Sequence, residues 1–288
     1  TAKGIEINGD IPTPIQEAVK NGFAQVAMAI LDTPGVDLSV IDDDENNLLH
    51  LAAASGNAEI VDDLLSNKSP KIKKQLAGVN RYQQTPFLLA AEKPLSDCVA
   101  AFIRCGAANS SQRDSNGNTA LHLAAKTGSF KSIKLILDLP NSDINDTNNE
   151  GIFLLFFNQT ALHLAAKRCR QMVLKTLLSY NNIDVNARDE MGRSPLHRMI
   201  EGKPMDGVEV FLSAKGLDFN AQDDDGETPL HLAAKCNYPE YINFLLTHKE
   251  VNVHLLDNNG QTPLHKAAAS TNYDSIKFLL GKGIDINH

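Results

Sequence analysis

Eight hexapeptides of one type recur along the 288-residue chain, beginning at Thr13, Asn47, Thr85, Thr119, Thr160, Ser194, Thr228 and Thr262. The fullest, at 228–233 and 262–267, read Thr-Pro-Leu-His-x-Ala. Successive intervals are 34, 38, 34, 41, 34, 34 and 34 residues. A period of that size constrains the fold more than any composition does. Each module is too short to enclose a core and can bury its apolar face only against the modules before and after it.

One unit follows from local chemistry. Every hexapeptide opens on Thr, Ser or Asn, whose side-chain oxygen caps an orphan N–H at a helix start. Five place Pro next, at the one helical position that tolerates it. A short Leu/Ala helix follows, with small pairs such as Ala124-Ala125 and Ala233-Ala234 allowing close approach, and Gly22, Gly56 and Gly128 stopping it. A second helix is marked by Ile133, Ile136 and Leu137 and by Ile242, Leu245 and Leu246 at helical spacing. Units close on Asp-x-x-Gly turns ending at Gly117, Gly192, Gly226 and Gly260.

Motif, spacing and turn together resemble the ankyrin repeat over nearly the whole chain, from about residue 5. The resemblance implies an all-α solenoid of stacked helix-turn-helix units with β-hairpin-like turn tips, forming one domain over 1–288. It also implies a partner protein held on the concave face made by the tips and first helices. By motif position the contacts expected on first helices are Lys126, Lys167, Arg168, Arg198, Glu201, Lys235 and Lys266. On the tips they are Ser115, Arg188, Glu190, Met191, Asp224 and Glu227. His50, His122, His163, His197, His231 and His265 share one motif position, and the resemblance gives them hydrogen bonds that knit the loops of adjacent repeats. A shared metal does not fit, because adjacent units lie about 10 Å apart while Zn–N bonds span about 2 Å.

The breaks in the pattern carry the individuality. The 41-residue interval holds an insert at 152–158, formed by Ile152, Phe153, Leu154, Leu155, Phe156, Phe157 and Asn158, at an otherwise polar hairpin tip. Contact with a partner, local capping of neighbouring tips, and a sequence artefact all stay open as readings. The 38-residue interval places an addition within 66–79, where Lys68, Lys71, Lys73 and Lys74 suggest a basic loop, either solvated or meeting an acidic partner. Unit three has Gln83 in the turn, Leu88 in the His position and Pro94 at the helix stop, and is expected to be the least regular.

Composition excludes several classes. A net charge of -8 argues against nucleic acid, which calls for a concentrated basic face. No apolar run approaches a membrane span. Cys98, Cys105, Cys169 and Cys236 form no C-x-x-C pair and read as free thiols in a reducing, cytoplasmic (intracellular) setting. No nucleophile elbow, zinc-protease, Walker or dinucleotide motif occurs. The acidic runs 42–45 and 223–225 lack the ligand series of a calcium loop. The expectation is therefore a non-enzymatic, monomeric interaction scaffold without cofactor. The competing reading is a recognition arm of a larger protein (a secreted bacterial effector, an enzyme or an ion channel) with its active domain elsewhere. The last second helix still carries Ile276, Phe278, Leu279 and Leu280, so the array is expected to continue past His288.

Overall fold

The computed structural model describes residues 12–66, 70–94, 96–148, 158–203 and 207–281. Those residues form eight helix pairs and one extra helix. The first helices are α1 (Pro14–Lys20), α3 (Leu48–Ser55), α6 (Pro86–Glu92), α8 (Ala120–Thr127), α10 (Ala161–Lys167), α12 (Pro195–Gly202), α14 (Pro229–Lys235) and α16 (Pro263–Ala269). Their partners are α2 (Ala24–Leu31), α4 (Ala58–Ser66), α7 (Ser96–Arg104), α9 (Phe130–Leu137), α11 (Gln171–Leu178), α13 (Val208–Leu212), α15 (Pro239–Leu245) and α17 (Tyr273–Leu280). The extra helix is α5 (Pro70–Gln75), and β1 (Thr147–Asn148) pairs antiparallel with β2 (Gln159–Thr160).

Each first helix packs on the next, from α1 through to α16, and the second helices form a parallel row. One buried apolar cluster therefore runs unbroken from Ile15 in α1 to Leu279 in α17. The Ala pairs make this possible: Ala52, Ala53, Ala124, Ala125, Ala165, Ala166, Ala233 and Ala234 are all fully or almost fully buried between neighbouring helices. Removing one small pair in favour of bulk would force the row apart.

The hexapeptide performs two jobs at each first-helix start. The capping residue bonds back onto the helix, and the imidazole three residues later returns the bond to the cap's own N–H. In unit five the Thr160 N–H donates to His163 Nδ1 at 3.1 Å, while the His163 N–H reaches Thr160 Oγ1 at 3.4 Å. This is a capping box with His where Glu or Gln more commonly serves. It recurs at Asn47/His50, Thr119/His122, Ser194/His197, Thr228/His231 and Thr262/His265.

Two expectations are corrected. The addition in 66–79 is not merely a solvated loop. Residues 70–75 form α5, which packs on α3 and α4 and buries Ile72 completely. An amphipathic turn with one anchored Ile and flanking lysines is enough to hold it. Unit three, moreover, keeps both helices. Gln83 takes the left-handed backbone conformation (φ 57°) that Gly117, Gly192, Gly226 and Gly260 take elsewhere, so its turn closes without the glycine. The shortest second helix among the described residues is α13 in unit six, with five residues.

Candidate functional site: the groove between tips and first helices

Six of the hairpin tips, all within the described residues, are each closed by a side chain. Asp114 Oδ1 accepts from the N–H groups of Asn116 (2.9 Å) and Asn118 (2.8 Å). Asp42, Asn80, Asp189, Asp223 and Asp257 do the same in their own turns. Backbone bonds at 3.0 Å then tie the tips of units two to four, from Arg81 to Asp44 and Ser115 to Tyr82, and those of units six to eight, from Asp224 to Met191 and Asn258 to Asp225. The tips thus form two linked runs rather than a row of independent loops.

The motif histidines fasten the tips to the helices. The Nε2 atoms of His50, His122, His163, His197 and His231 lie 2.8–3.0 Å from the carbonyl oxygens of Gln84, Gln159, Arg193, Glu227 and Gln261. Each carbonyl belongs to the residue just before the next unit's helix cap. A carbonyl can only accept, so Nε2 carries the proton and Nδ1 is left to accept from the cap. Burial, opposed only partly by that backbone bond, pushes all five imidazoles below their ordinary pKa, His122 and His197 to about 4. His265 makes the capping box but stands exposed in the last described unit. Among the described residues no cluster of His, Cys, Asp or Glu is arranged to hold a metal ion.

Between the tips and the first helices runs an open groove. In units two to four it encloses about 380 Å³ and is lined by Tyr82, Ser115 and Asn116 from the tips and by Leu89, Glu92, Leu123 and Lys126 from the helices. Tyr82 is half exposed and was not singled out from the sequence. Its signal is an aromatic at a turn place where four other units carry Asp or Asn (Asp44, Asn116, Asp225 and Asn259). Met191 occupies the equivalent place in unit six, 39% exposed.

The expected contact residues separate into two groups. Lys167, Arg168, Arg188, Glu190, Met191, Asp224 and Lys235 are exposed, and Ser115, Lys126 and Glu201 are half-buried. Arg198 and Glu227 are buried, and the Lys266 side chain is 12% exposed. These three do not present a free charge, which corrects their assignment as partner contacts. Arg198 is ion-paired with Asp189 and, at 2.7 Å, with Glu201, which also holds Arg193. Lys266 bridges Glu227 (2.7 Å) and Asp257 (2.5 Å), and Lys235 reaches Glu227 at 3.1 Å. The two lysines hold the Glu227 carboxyl below its ordinary pKa against the opposing effect of burial. The reason is positional. Arg198 and Lys266 stand at the fifth place of the motif, where five other units carry Leu, whereas Lys126, Lys167 and Lys235 stand at the eighth. Arg188 is partly committed as well, since its guanidinium bonds the carbonyls of Gly192 and Gln222.

A second ladder escaped the sequence reading. Asn145, Asn186 and Asn220 each donate from Nδ2 to a carbonyl of the following unit (Asn182, Gly216 and Glu250; 2.7–2.8 Å) and accept from an N–H there (Asp184, Asp218 and Asn252; 2.7–2.9 Å). The insert residues Ile152, Phe153, Leu154, Leu155, Phe156 and Phe157 lie outside the described residues. The flanking segments β1 and β2 pair Thr147 with Thr160 and Asn148 with Gln159.

The chain belongs to the ankyrin repeat family: the model for ankyrin repeats in triplicate matches residues 67–148, 142–223 and 199–288, and that for a single ankyrin repeat matches 44–74. It is 31% identical over 134 residues to human NF-kappa-B inhibitor zeta, covering 45% of this chain and 17% of that protein. It is 36% identical over 117 residues to the rat nuclear factor NF-kappa-B p105 subunit, covering 40% of this chain and 12% of that one. It is also 30% identical over 148 residues to the putative palmitoyltransferase ZDHHC13 of Danio rerio, covering 51% of this chain and 22% of that protein. The match therefore spans between about an eighth and a fifth of these relatives. Ankyrin repeats are a protein-interaction architecture. No helix among the described residues is long and apolar enough to cross a membrane.

Proposed function

We propose that this array holds a partner polypeptide in the groove between its tips and first helices, with the apolar insert at 152–158 as a second contact. The observation that carries this reading is the division of labour among polar groups. Five histidines, the turn-closing carboxylates of Asp114, Asp189, Asp223 and Asp257 and the fifth-place cations are turned inward and spent on the stack. Tyr82 and Lys126 are left lining the groove, and Met191, Lys167 and Arg168 are left exposed. Two of the relatives carry NF-kappa-B in their names, which supports an interaction role without identifying the partner.

The test is affinity proteomics from the native cells, comparing the chain with a Tyr82→Ala/Met191→Ser/Lys126→Glu variant and with a deletion of 152–158. The deletion restores the 34-residue period and is expected to keep the cooperative thermal transition. Partners captured by the native chain are expected to drop out of the groove variant. Their full retention would sink the groove as the binding site, and unfolding on deletion would make the insert core rather than contact. A second reading, that the array is the recognition arm of a larger protein, is favoured by the short coverage of every relative named above, one of them a putative transferase.

A further inference from the structure

We infer that the pocket between α5 and the unit-two tip is a second docking site, which takes an aliphatic side chain of a polypeptide partner with a carboxylate beside it. The site uses residues that the groove does not, so it goes beyond the groove reading and stands or falls separately.

The pocket encloses about 420 Å³ between Ile41, Glu45 and Asn47 on the unit-two side and Lys71, Lys74 and Val79 on and after α5. Its two sides are bonded to each other. Gln75 in α5 donates from Nε2 to the Leu38 carbonyl, Asn47 Nδ2 donates to the Gln75 carbonyl at 3.1 Å, and Lys71 pairs with Asp37 at 3.5 Å. Ile72 anchors the same helix in the core, and Asn47 is itself fixed as the cap of α3, accepting from the His50 N–H at 3.1 Å. An occupant therefore meets a cavity already formed, and little ordering is required of the receptor.

The lining offers two kinds of contact. Ile41 and Val79 are 59% and 42% exposed, although Leu38 and Ile72 close by in sequence are buried. An aliphatic side chain seated between them would remove apolar surface from water. The second contact is charge. Lys74 lines the pocket with no carboxylate at ion-pair distance among the described residues, and neither has Lys73 on the same helix. A carboxylate beside the seated side chain would complement Lys74 and fix the direction of the segment. Glu45 on the facing wall and Asp37 beside Lys71 decide between anionic partners. A nucleic acid strand or an anionic bilayer, negative throughout, would meet both as like charge. A polypeptide can set one carboxylate against Lys74 and neutral groups against Glu45.

The experiment is selection of random displayed peptides on the whole chain, with depletion on an Ile41→Ser/Val79→Ser variant so that survivors depend on the pocket. Affinities are then read by fluorescence anisotropy on the native chain, on that variant, on Lys74→Glu and on the groove variant Tyr82→Ala/Lys126→Glu, with thermal melts confirming that each folds. The survivors are expected to carry Leu, Ile, Val or Met next to Asp or Glu. They should lose roughly tenfold or more in affinity on Lys74→Glu, weaken as salt rises, and bind the groove variant unchanged. Survivors that are basic or lack an aliphatic residue, unchanged affinity for Lys74→Glu, or equally good competition by phosphatidylserine vesicles would overturn the inference. A selection in which every peptide binds the depleting variant as well as the native chain would remove the pocket, and loss of those peptides on Tyr82→Ala/Lys126→Glu would leave the groove standing without it.

Discussion

At the residue scale the buried imidazoles carry a pH dependence. Folding lowers their pKa, because the charged form is excluded from the interior and Nδ1 must stay free to accept. The folded state then binds fewer protons than the unfolded chain below pH 6.5. Stability from this source is complete above 6.5 and is lost progressively as pH falls toward about 4. His122 alone accounts for a change on the order of 3 kcal/mol over that window. Urea denaturation at stepped pH is expected to show the fall, and a flat profile between 6.5 and 4.5 would contradict it. The buried ion pair makes a second case. Arg198→Ala strips the cation from Asp189, whose side chain is fully buried, and is expected to cost about 3 kcal/mol or more by chemical denaturation. Conversely, Gln83→Gly relieves a non-glycine residue held at φ 57° on an exposed tip and should add up to about 1 kcal/mol.

At the scale of elements, the helix pairs were legible because each start has a capping residue, a proline or small residue and a fixed period. Less legible were features that depend on neighbours. Residues 70–75 have a lysine-rich sequence, yet form α5 because Ile72 finds a buried site against α3 and α4. The contact set read from the motif joined two places in the helix with different neighbours. Leu89 and Leu123 at the fifth place and Glu92 and Lys126 at the eighth all line the groove, but a cation at the fifth place sits over a buried Asp that takes up its charge. A cation at the fifth place with an Asp nine residues earlier, as in Asp189/Arg198 and Asp257/Lys266, was the available signal that such a charge is internal. The Asn145, Asn186 and Asn220 ladder is likewise visible in sequence only as a recurring Asp-x-Asn, whose partners lie a whole unit away. At the α10–α12 contact the structure predicts a sharp cost: Gly202→Ala places a methyl group against the Lys167 carbonyl, and thermal or urea unfolding should show a loss of about 3 kcal/mol. A neutral outcome would mean that the two helix ends are not held at this approach.

For the whole molecule, near-equal units stacked on their neighbours produce one continuous core, with a groove between tips and first helices at units two to four. The tip ladder and histidine bridges make the groove wall stiff. A bound segment therefore meets side chains already in place, and little ordering entropy is spent on the receptor side. The most direct measurement is hydrogen–deuterium exchange of the chain alone and with a partner recovered in the affinity capture above. The account predicts slowed exchange at the tips around Tyr82, Ser115 and Met191 and at the ends of α8 and α10. Slowing confined to the second helices, around Met172 on α11, with the groove amides unchanged, would contradict it.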